Sequence, residues 1–193
     1  FHYGIGLNQL DRRLNVKESS RGQSFADGFY SKLDGKKAIL VQASSHEKKK
    51  TLDPAQWTRI LKQYRDSDSQ AEIFVIGAKD EKAWVDSICK KEARIQPLIC
   101  QLDEAFSVLK RAHLLLTVDT SIKHLASAAG TKIIEISIGS SDYLKTGTFT
   151  DGALIIQGAA PCAPCPHSTE CSQASHICGN NVDLMLVVMA MRA

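Results

Sequence analysis

The chain has 193 residues, of which 44% are hydrophobic and 23% charged, and its formal net charge at pH 7 is +3. This composition indicates one globular α/β domain with an ordinary core and excludes a disordered chain. The mild charge, without interleaved aromatic residues, argues against a nucleic-acid binder, and no apolar run is long enough to span a bilayer.

The N-terminal segment is the least regular part of the chain. Residues 8–14 predict one amphipathic helix, and the polar, glycine-containing stretch 19–28 is typical of a linker or surface loop. The chain begins at Phe1 with neither an initiator methionine nor a signal-peptide pattern, so we expect a piece of a longer cytoplasmic protein. We therefore assign residues 1–36 to a linker or the remnant of a preceding domain, and residues 37–193 to one domain.

From Lys37 onward, strands and helices alternate. Short apolar runs predict strands at 38–41, 73–77, 97–100, 114–118, 132–136 and 153–156. Caps and apolar stripes predict helices starting at Asp53-Pro54, at Asp80 or a neighbour and at Asp103, a helix over 121–129 ended by Gly130, and a last helix over 182–192. This alternation implies right-handed βαβ units, hence a Rossmann-like, mostly parallel sheet with helices on both faces.

Polar loops follow four of these strands. In parallel sheets ligands bind beyond the carboxyl ends of the strands, so these loops should meet at one rim. The first loop ends in Lys50, and a lysine can reach a diphosphate as a point charge. The second contains Glu81, whose carboxylate can accept hydrogen bonds from ribose hydroxyls. The fourth offers a glycine and two hydroxyls, at Gly139, Ser140 and Ser141.

The third rim loop carries the most specific signal. Asp119, Thr120 and Ser121 follow the strand and open a helix of small residues. The free N–H groups and the positive end of such a helix favour an anion, most often a phosphate. His124, one turn into the helix, faces the same anion as a cation or donor. Asp119 either caps the helix or orients a partner. The absence of a GxGxxG or Walker lysine motif disfavours a dehydrogenase or a P-loop enzyme.

Four of the six cysteines cluster near the C-terminus, in the proline-rich loop 161–178. A C-x-x-C pair followed by two more cysteines can surround one tetrahedral metal, and thiolates suit zinc or iron. We expect a structural metal site formed by Cys162, Cys165, Cys171 and Cys178, with disulfides as the alternative in an oxidised protein. The other two, Cys89 and Cys100, are predicted to be buried small hydrophobes.

Together these segments resemble the C-terminal half of the ADP-heptose:lipopolysaccharide heptosyltransferases, glycosyltransferase family nine, which have a GT-B fold. The family pattern D-[ST]-G-x-x-H-x-A-[AS]-A-x-G resembles residues 119–130, and its C-x-P-C cluster resembles residues 162–178. A lysine followed by a tryptophan-containing stretch resembles Lys50 to Trp57. The chain departs from the family at Ser121, where the pattern has glycine, and at Leu52, where it has tryptophan.

The resemblance implies the donor-binding half of an inverting transferase that moves heptose from ADP-heptose to a lipopolysaccharide or other glycan acceptor. It further implies that an N-terminal domain binds the acceptor, that this half is inactive alone, and that the protein works in the bacterial cytoplasm, peripheral to the inner membrane. The implied catalytic residues are Lys50 and His124, and the implied donor-binding residues are Glu81, Asp119, Thr120, Ser121, Gly139, Ser140 and Ser141. Two other classes stay open: a non-catalytic nucleotide or sugar-phosphate binding module, and a metal or redox protein organised by the cysteines.

Overall fold

The computed structural model describes residues 14–148, 150 and 152–193. The predicted helix over 8–14 therefore falls, apart from Leu14, outside the described residues. The strands are β1 (Lys37–Gln42), β2 (Ala71–Gly77), β3 (Ile95–Ile99), β4 (Leu114–Val118), β5 (Ile133–Ser137) and β6 (Leu154–Gln157). The α-helices are α1 (Ser20–Tyr30), α2 (Pro54–Ser67), α3 (Lys82–Cys89), α4 (Leu102–Leu109), α5 (Ser121–Ala129), α6 (Tyr143–Thr146), α7 (Ile177–Asn180) and α8 (Leu184–Arg192).

The six strands form one sheet in the order β3-β2-β1-β4-β5-β6, and every neighbouring pair is parallel. This is the strand order of dinucleotide-binding Rossmann domains, so the predicted fold class is confirmed. The order reverses between β1 and β4, where Val41 lies in register with Leu116. At such a reversal the connecting helices leave on opposite faces, which opens a crevice beyond the strand ends.

Alternating residues of β1 fill two cores, one on each face of the sheet. Ile39 and Val41 pack with Trp57 of α2 and with residues of α3 and α8. Leu40 packs on the other face with Val108 of α4 and with residues of α1 and α5. Helices therefore cover both faces, as the sequence pattern predicts.

The prediction of a linker or surface loop at 19–28 is wrong, because residues 20–28 form most of helix α1. Ser19 is the N-cap, and its Oγ accepts a hydrogen bond from the amide of Gly22 at 2.9 Å. Phe29 contacts Phe74 of β2, with ring centroids 4.7 Å apart. The apolar stripe of this helix packs on the domain, so residues 20–30 are part of its body.

One predicted cap differs. Gln101 is the N-cap of α4, while Asp103 in its first turn binds Ser19 at 2.8 Å. The N-cap of α3 is Glu81, the neighbour of Asp80, as the alternative in the prediction allows. Among the described residues, no helix has the length and apolar character required to cross a membrane.

Candidate nucleotide site

A cavity of about 720 Å³ lies at the carboxyl ends of β1 to β4, where the strand order reverses. Pockets of roughly 300–1,000 Å³ suit small ligands and cofactors. Its walls are the loops after β1, β2, β3 and β4, at 42–50, 76–81, 100–105 and 119–122. Of the predicted site residues, the cavity brings together Lys50, Glu81, Asp119, Thr120 and Ser121.

Lys50 lines this cavity and is held in place by two carboxylates. Its Nζ lies 3.1 Å from Asp119 Oδ2 and 3.3 Å from Glu47 Oε1, and the side chain is only 11% exposed. A short 3₁₀ turn over Lys48–Lys50 brings the side chain inward from the β1 loop. The ammonium group therefore has a fixed position next to the start of α5.

The N-terminus of α5 lies beside that ammonium group. Thr120 is the N-cap and makes no side-chain capping hydrogen bond. The Lys123 amide donates to the Thr120 carbonyl at 3.2 Å, whereas the Ser121 and Ile122 amides precede the first intrahelical bond and are suited to an anion in the cavity. Asp119 does not cap the helix. It orients partners, Lys50 and Lys123, which is the second of the two roles considered for it.

A buried ion network fixes Asp119. The Nζ of Lys123, with a side-chain exposure of 0%, donates to Asp119 Oδ1 at 2.6 Å, Glu135 Oε1 at 2.9 Å and the Thr146 carbonyl at 2.6 Å. Burial would raise the pKa of Asp119, but hydrogen bonds and charge from Lys123 and Lys50 hold it below its usual value. At Glu135 the effect of burial is larger than the opposing effect of the Lys123 ammonium group, so the pKa of this carboxyl group is raised. Asp119 is therefore an ionised anchor for Lys50.

Glu47 is a second organised carboxylate at the rim. It accepts a hydrogen bond from Ser140 Oγ at 2.9 Å and lies 3.3 Å from both Lys49 Nζ and His167 Nδ1. Burial opposes ionisation, but these hydrogen bonds and the charge of Lys50 lower the pKa of Glu47 to about 2. Its negative charge is therefore permanent at neutral pH.

Glu81 is fixed by hydrogen bonds to both of its oxygens. Oε1 accepts from Ser44 Oγ at 2.6 Å, and Oε2 accepts from the Ala78 amide at 2.8 Å. Each carboxylate oxygen keeps a further lone pair toward the cavity. The arrangement suits a diol such as the ribose 2′ and 3′ hydroxyls.

His124 lies one turn farther along α5 and is not among the described residues that line the cavity. Burial, followed by the charge of Lys123, lowers the pKa of His124, so its neutral form predominates at pH 7. Its catalytic role remains a prediction.

Gly139, Ser140 and Ser141 are buried behind the β1 loop, outside the cavity lining that the structure describes. Gly139 has φ +66°, and a Cβ there would come within 2.1 Å of the Lys49 carbonyl oxygen. The Ser140 hydroxyl binds Glu47. Gly139 and Ser140 therefore support the β1 loop, whereas the Ser141 hydroxyl accepts from Ser137 Oγ at 3.2 Å. A direct donor contact by any of the three stays a prediction.

The predicted metal site is not supported by the geometry. All six cysteines are free thiols, and among the described residues no cluster of three or more Cys, His, Asp or Glu is arranged to hold a metal ion. Cys178 is buried, and its Sγ accepts from the Gly139 amide at 3.3 Å. Burial and then the neighbouring thiols Cys162 and Cys178 raise the pKa of Cys165. The fourth predicted ligand, Cys171, lines a different cavity. The disulfide alternative is not formed either.

Several participants were not predicted from the sequence. Cys89 is buried as expected, but Cys100 is half-buried and lines the cavity, and burial raises its pKa to about 12. Lys123 and Glu135 were also missed. Each is a charged residue within a segment of mostly apolar or small residues, and this is the signal that could have identified a buried pair.

Similarity to known proteins identifies the family of this chain. The model of glycosyltransferase family 9 (heptosyltransferase) matches residues 2–176. The chain belongs to this family. No curated protein matches the chain.

Solved structures show the same fold in other members of family 9. The E. coli ADP-heptose LPS heptosyltransferase II has a TM-score of 0.66 at 15% identity, covering 93% of this chain and 54% of that one. A family 9 glycosyl transferase from Veillonella parvula has a TM-score of 0.68 at 17% identity, covering 79% and 44%. E. coli heptosyltransferase WaaC with ADP has a TM-score of 0.57 at 21% identity, covering 67% of this chain and 41% of that one. The chain thus spans about half the length of the structures it resembles.

Proposed function

We propose that this family 9 chain is the donor-nucleotide-binding domain of an inverting glycosyltransferase, with ADP-heptose as donor and a lipopolysaccharide or other glycan as acceptor. The observation that carries the proposal is the fixed Lys50 ammonium group beside the α5 N-terminus in a nucleotide-sized cavity. Family membership supports the glycosyltransferase class. The similar E. coli heptosyltransferase WaaC has been solved with ADP and with ADP-2-deoxy-2-fluoro heptose, which supports this donor.

The two ends of the cavity differ in polarity, as the base and diphosphate ends of ADP do. The end at β3, near Cys100 and Leu102, is partly apolar and suits a base. Glu81 lies after β2 and suits the ribose. Lys50 and the first amides of α5 lie after β1 and β4 and suit the diphosphate.

The proposed chemistry is displacement at the anomeric carbon. The acceptor hydroxyl forms the new glycosidic bond as the bond to the diphosphate oxygen breaks, and the nucleotide diphosphate leaves with that electron pair. The hydroxyl proton passes to a general base that we assign to the acceptor-binding N-terminal half. Lys50 and the amides of Thr120 and Ser121 stabilise the charge that develops on the leaving group, because they are already oriented. His124 adds a hydrogen-bond donor in this proposal.

The local charge balance explains why orientation matters here. Three ammonium groups, Lys49, Lys50 and Lys123, accompany three carboxyl groups, Glu47, Asp119 and Glu135. The site therefore has little surplus positive charge. Diphosphate affinity must come from directed N–H and ammonium contacts, so loss of one contact should be costly.

Calorimetric titration with ADP and UDP tests the proposal, because it measures donor binding without requiring turnover. Lys50→Ala should weaken ADP binding by about ten- to a hundredfold, as expected for a charge-assisted contact of about 1.5–3 kcal/mol. Lys145→Ala is the matched control, since Lys145 is 80% exposed, pairs with Asp142 at 3.0 Å and is not among the described residues that line the cavity. If neither nucleotide binds at millimolar concentration, the proposal is wrong.

A non-catalytic nucleotide-binding module is the second candidate. It is favoured by Ser121, whose exposed side chain lies at the helix start where a phosphate must approach. Incubation of ADP-heptose and a glycan acceptor with a protein that joins this chain to an acceptor-binding N-terminal half separates the two functions, because this half is expected to be inactive alone. Release of ADP favours the transferase, whereas tight binding with no release favours the module.

A further inference from the structure

The loop 161–178 carries four thiols that the function proposed above does not use. They belong to Cys162, Cys165, Cys171 and Cys178, and all four are free. A thiol takes part in disulfide exchange when a partner sulfur is close and a reagent can reach it. The surroundings of each thiol therefore decide which of them can react.

The backbone of Gly139 fixes two of these cysteines in different ways. The Cys165 amide donates to the Gly139 carbonyl at 2.8 Å, which leaves the Cys165 thiol free of that contact. The Gly139 amide donates to the Cys178 sulfur at 3.3 Å, and Cys178 is only 3% exposed. The Cys178 thiol is therefore shielded from a dissolved reagent.

Cys162 and Cys165 form the local pair. Two residues separate them, and the Cys165 thiol donates to the Cys162 carbonyl oxygen at 3.5 Å. Both side chains are half-buried, and Pro164 between them is exposed. A small solute can therefore reach the pair, and closure requires that the Cys162 thiol turns toward the Cys165 sulfur.

An ammonium group lies beside this pair. Lys49 Nζ donates to the carbonyl of Pro166, the residue that follows Cys165, and to the Thr169 carbonyl at 2.8 Å. Reactive cysteines occupy partly exposed sites next to positive charge, because the thiolate is the attacking form. Burial and then the neighbouring thiols raise the pKa of Cys165, while the Lys49 charge acts against them. We therefore assign the first attack to Cys162 and the second to Cys165.

The two cysteines outside the loop have a different environment. Burial raises the pKa of Cys89 to about 11 and that of Cys100 to about 12. Their thiolate forms are therefore scarce at neutral pH, and both should remain thiols when the loop reacts.

We propose that Cys162 and Cys165 are a redox-active dithiol that exchanges with a small disulfide such as oxidised glutathione. The Cys162 thiolate attacks one sulfur of the reagent, which forms a mixed disulfide and releases one glutathione. Cys165 then loses its proton and attacks the Cys162 sulfur, and the second glutathione leaves. The chain gives up two protons and two electrons, which convert one oxidised glutathione into two reduced molecules. This inference does not depend on the proposed donor site.

The test incubates reduced wild-type protein with oxidised glutathione, alkylates the remaining thiols after denaturation, and maps the peptides by mass spectrometry. The count of alkylated thiols should fall from six to four, with one disulfide between Cys162 and Cys165, and dithiothreitol should restore all six. Cys165→Ser should instead accumulate glutathione on Cys162, because the second attack is lost. Cys171→Ser is the matched control, since it removes a half-buried thiol of the same loop and should still form the disulfide.

Each outcome bears on the assignment. An unchanged count of six thiols in the wild-type protein overturns the proposal, and so does a disulfide from Cys165 to Cys171 or Cys178. Glutathione that stays on Cys162 in wild-type protein also overturns it, because the pair then fails to close. Circular dichroism checks that the variants are folded, and the wild-type map decides the question alone if one of them is not.

Discussion

The buried pair of Lys123 and Glu135 provides the sharpest energetic prediction. Both side chains have an exposure of 0%, with Nζ 2.9 Å from Oε1. Lys123→Met removes the ammonium group that also binds Asp119, and leaves two buried carboxyl groups facing the space it occupied. Asp119 keeps Lys50 at 3.1 Å, so Glu135 bears most of the loss.

Removing one member of a buried pair costs about 3–5 kcal/mol, because the other charge remains desolvated. Part of this is relieved here, since the pKa of Glu135 is already raised and the carboxyl group can be protonated. We therefore expect Lys123→Met to lower the free energy of unfolding by about 3 kcal/mol, a large part of the ~5–15 kcal/mol of a typical domain. The double variant Lys123→Met/Glu135→Leu should recover about 1–3 kcal/mol of this, because the orphaned carboxyl is gone.

Urea unfolding followed by circular dichroism measures these differences. Lys62→Met is the control, since Lys62 is 53% exposed in an i,i+4 pair with Asp66 and such pairs contribute less than about 1 kcal/mol. A Lys123→Met cost no greater than that of Lys62→Met would refute the reasoning. A double variant less stable than Lys123→Met would refute it as well.

Two further predictions concern the support of the β1 loop. Gly139→Ala should lower the free energy of unfolding by at least about 2 kcal/mol in urea unfolding, because its Cβ meets the Lys49 carbonyl at 2.1 Å and its φ is +66°. Gly28 lies in α1 with open space around it, so Gly28→Ala should instead raise the free energy of unfolding by about 0.5–1 kcal/mol. Equal changes in the free energy of unfolding for Gly139→Ala and Gly28→Ala would contradict the packing account. Glu47→Gln should reduce the acid sensitivity of folding: the folded-state pKa of about 2 lies below the usual value, so the stabilisation by Glu47 is present above pH ~4.5 and is lost as pH falls toward 2. Unchanged pH dependence of urea midpoints between pH 5 and 2 in this variant would count against it.

Local patterns were sufficient to predict the helices and strands next to the cavity. The apolar run 114–118 and the Gly130 C-cap, at φ 74°, gave β4 and α5 with the observed bounds. Helix α1 is not evident from the sequence because the polar residues of 19–28 favour a loop, although Ser19 is an N-cap and Phe25, Phe29 and Tyr30 pack on the domain. Its stability comes from contacts with α4 and β2, which short-range patterns do not show.

Topology also brought Lys50 and Asp119 to one rim, as their positions after β1 and β4 predict. The spacing of residues did not reveal the pairing of Lys123 with Glu135, because it depends on which faces of α5 and β5 meet. The cysteine spacing allowed a metal site, whereas the three-dimensional arrangement of the loop does not form one. Spacing limits which ligands can meet, but the folded loop decides whether they do.

The central claim is that Lys50 and the start of α5 bind a nucleotide diphosphate. Calorimetric titration of wild-type protein and Lys50→Ala with ADP and with adenosine tests it most directly. The account predicts that wild-type protein binds ADP at least about a hundredfold more tightly than adenosine, and that Lys50→Ala removes most of that difference without altering adenosine binding. Equal affinities for ADP and adenosine in wild-type protein would contradict the claim.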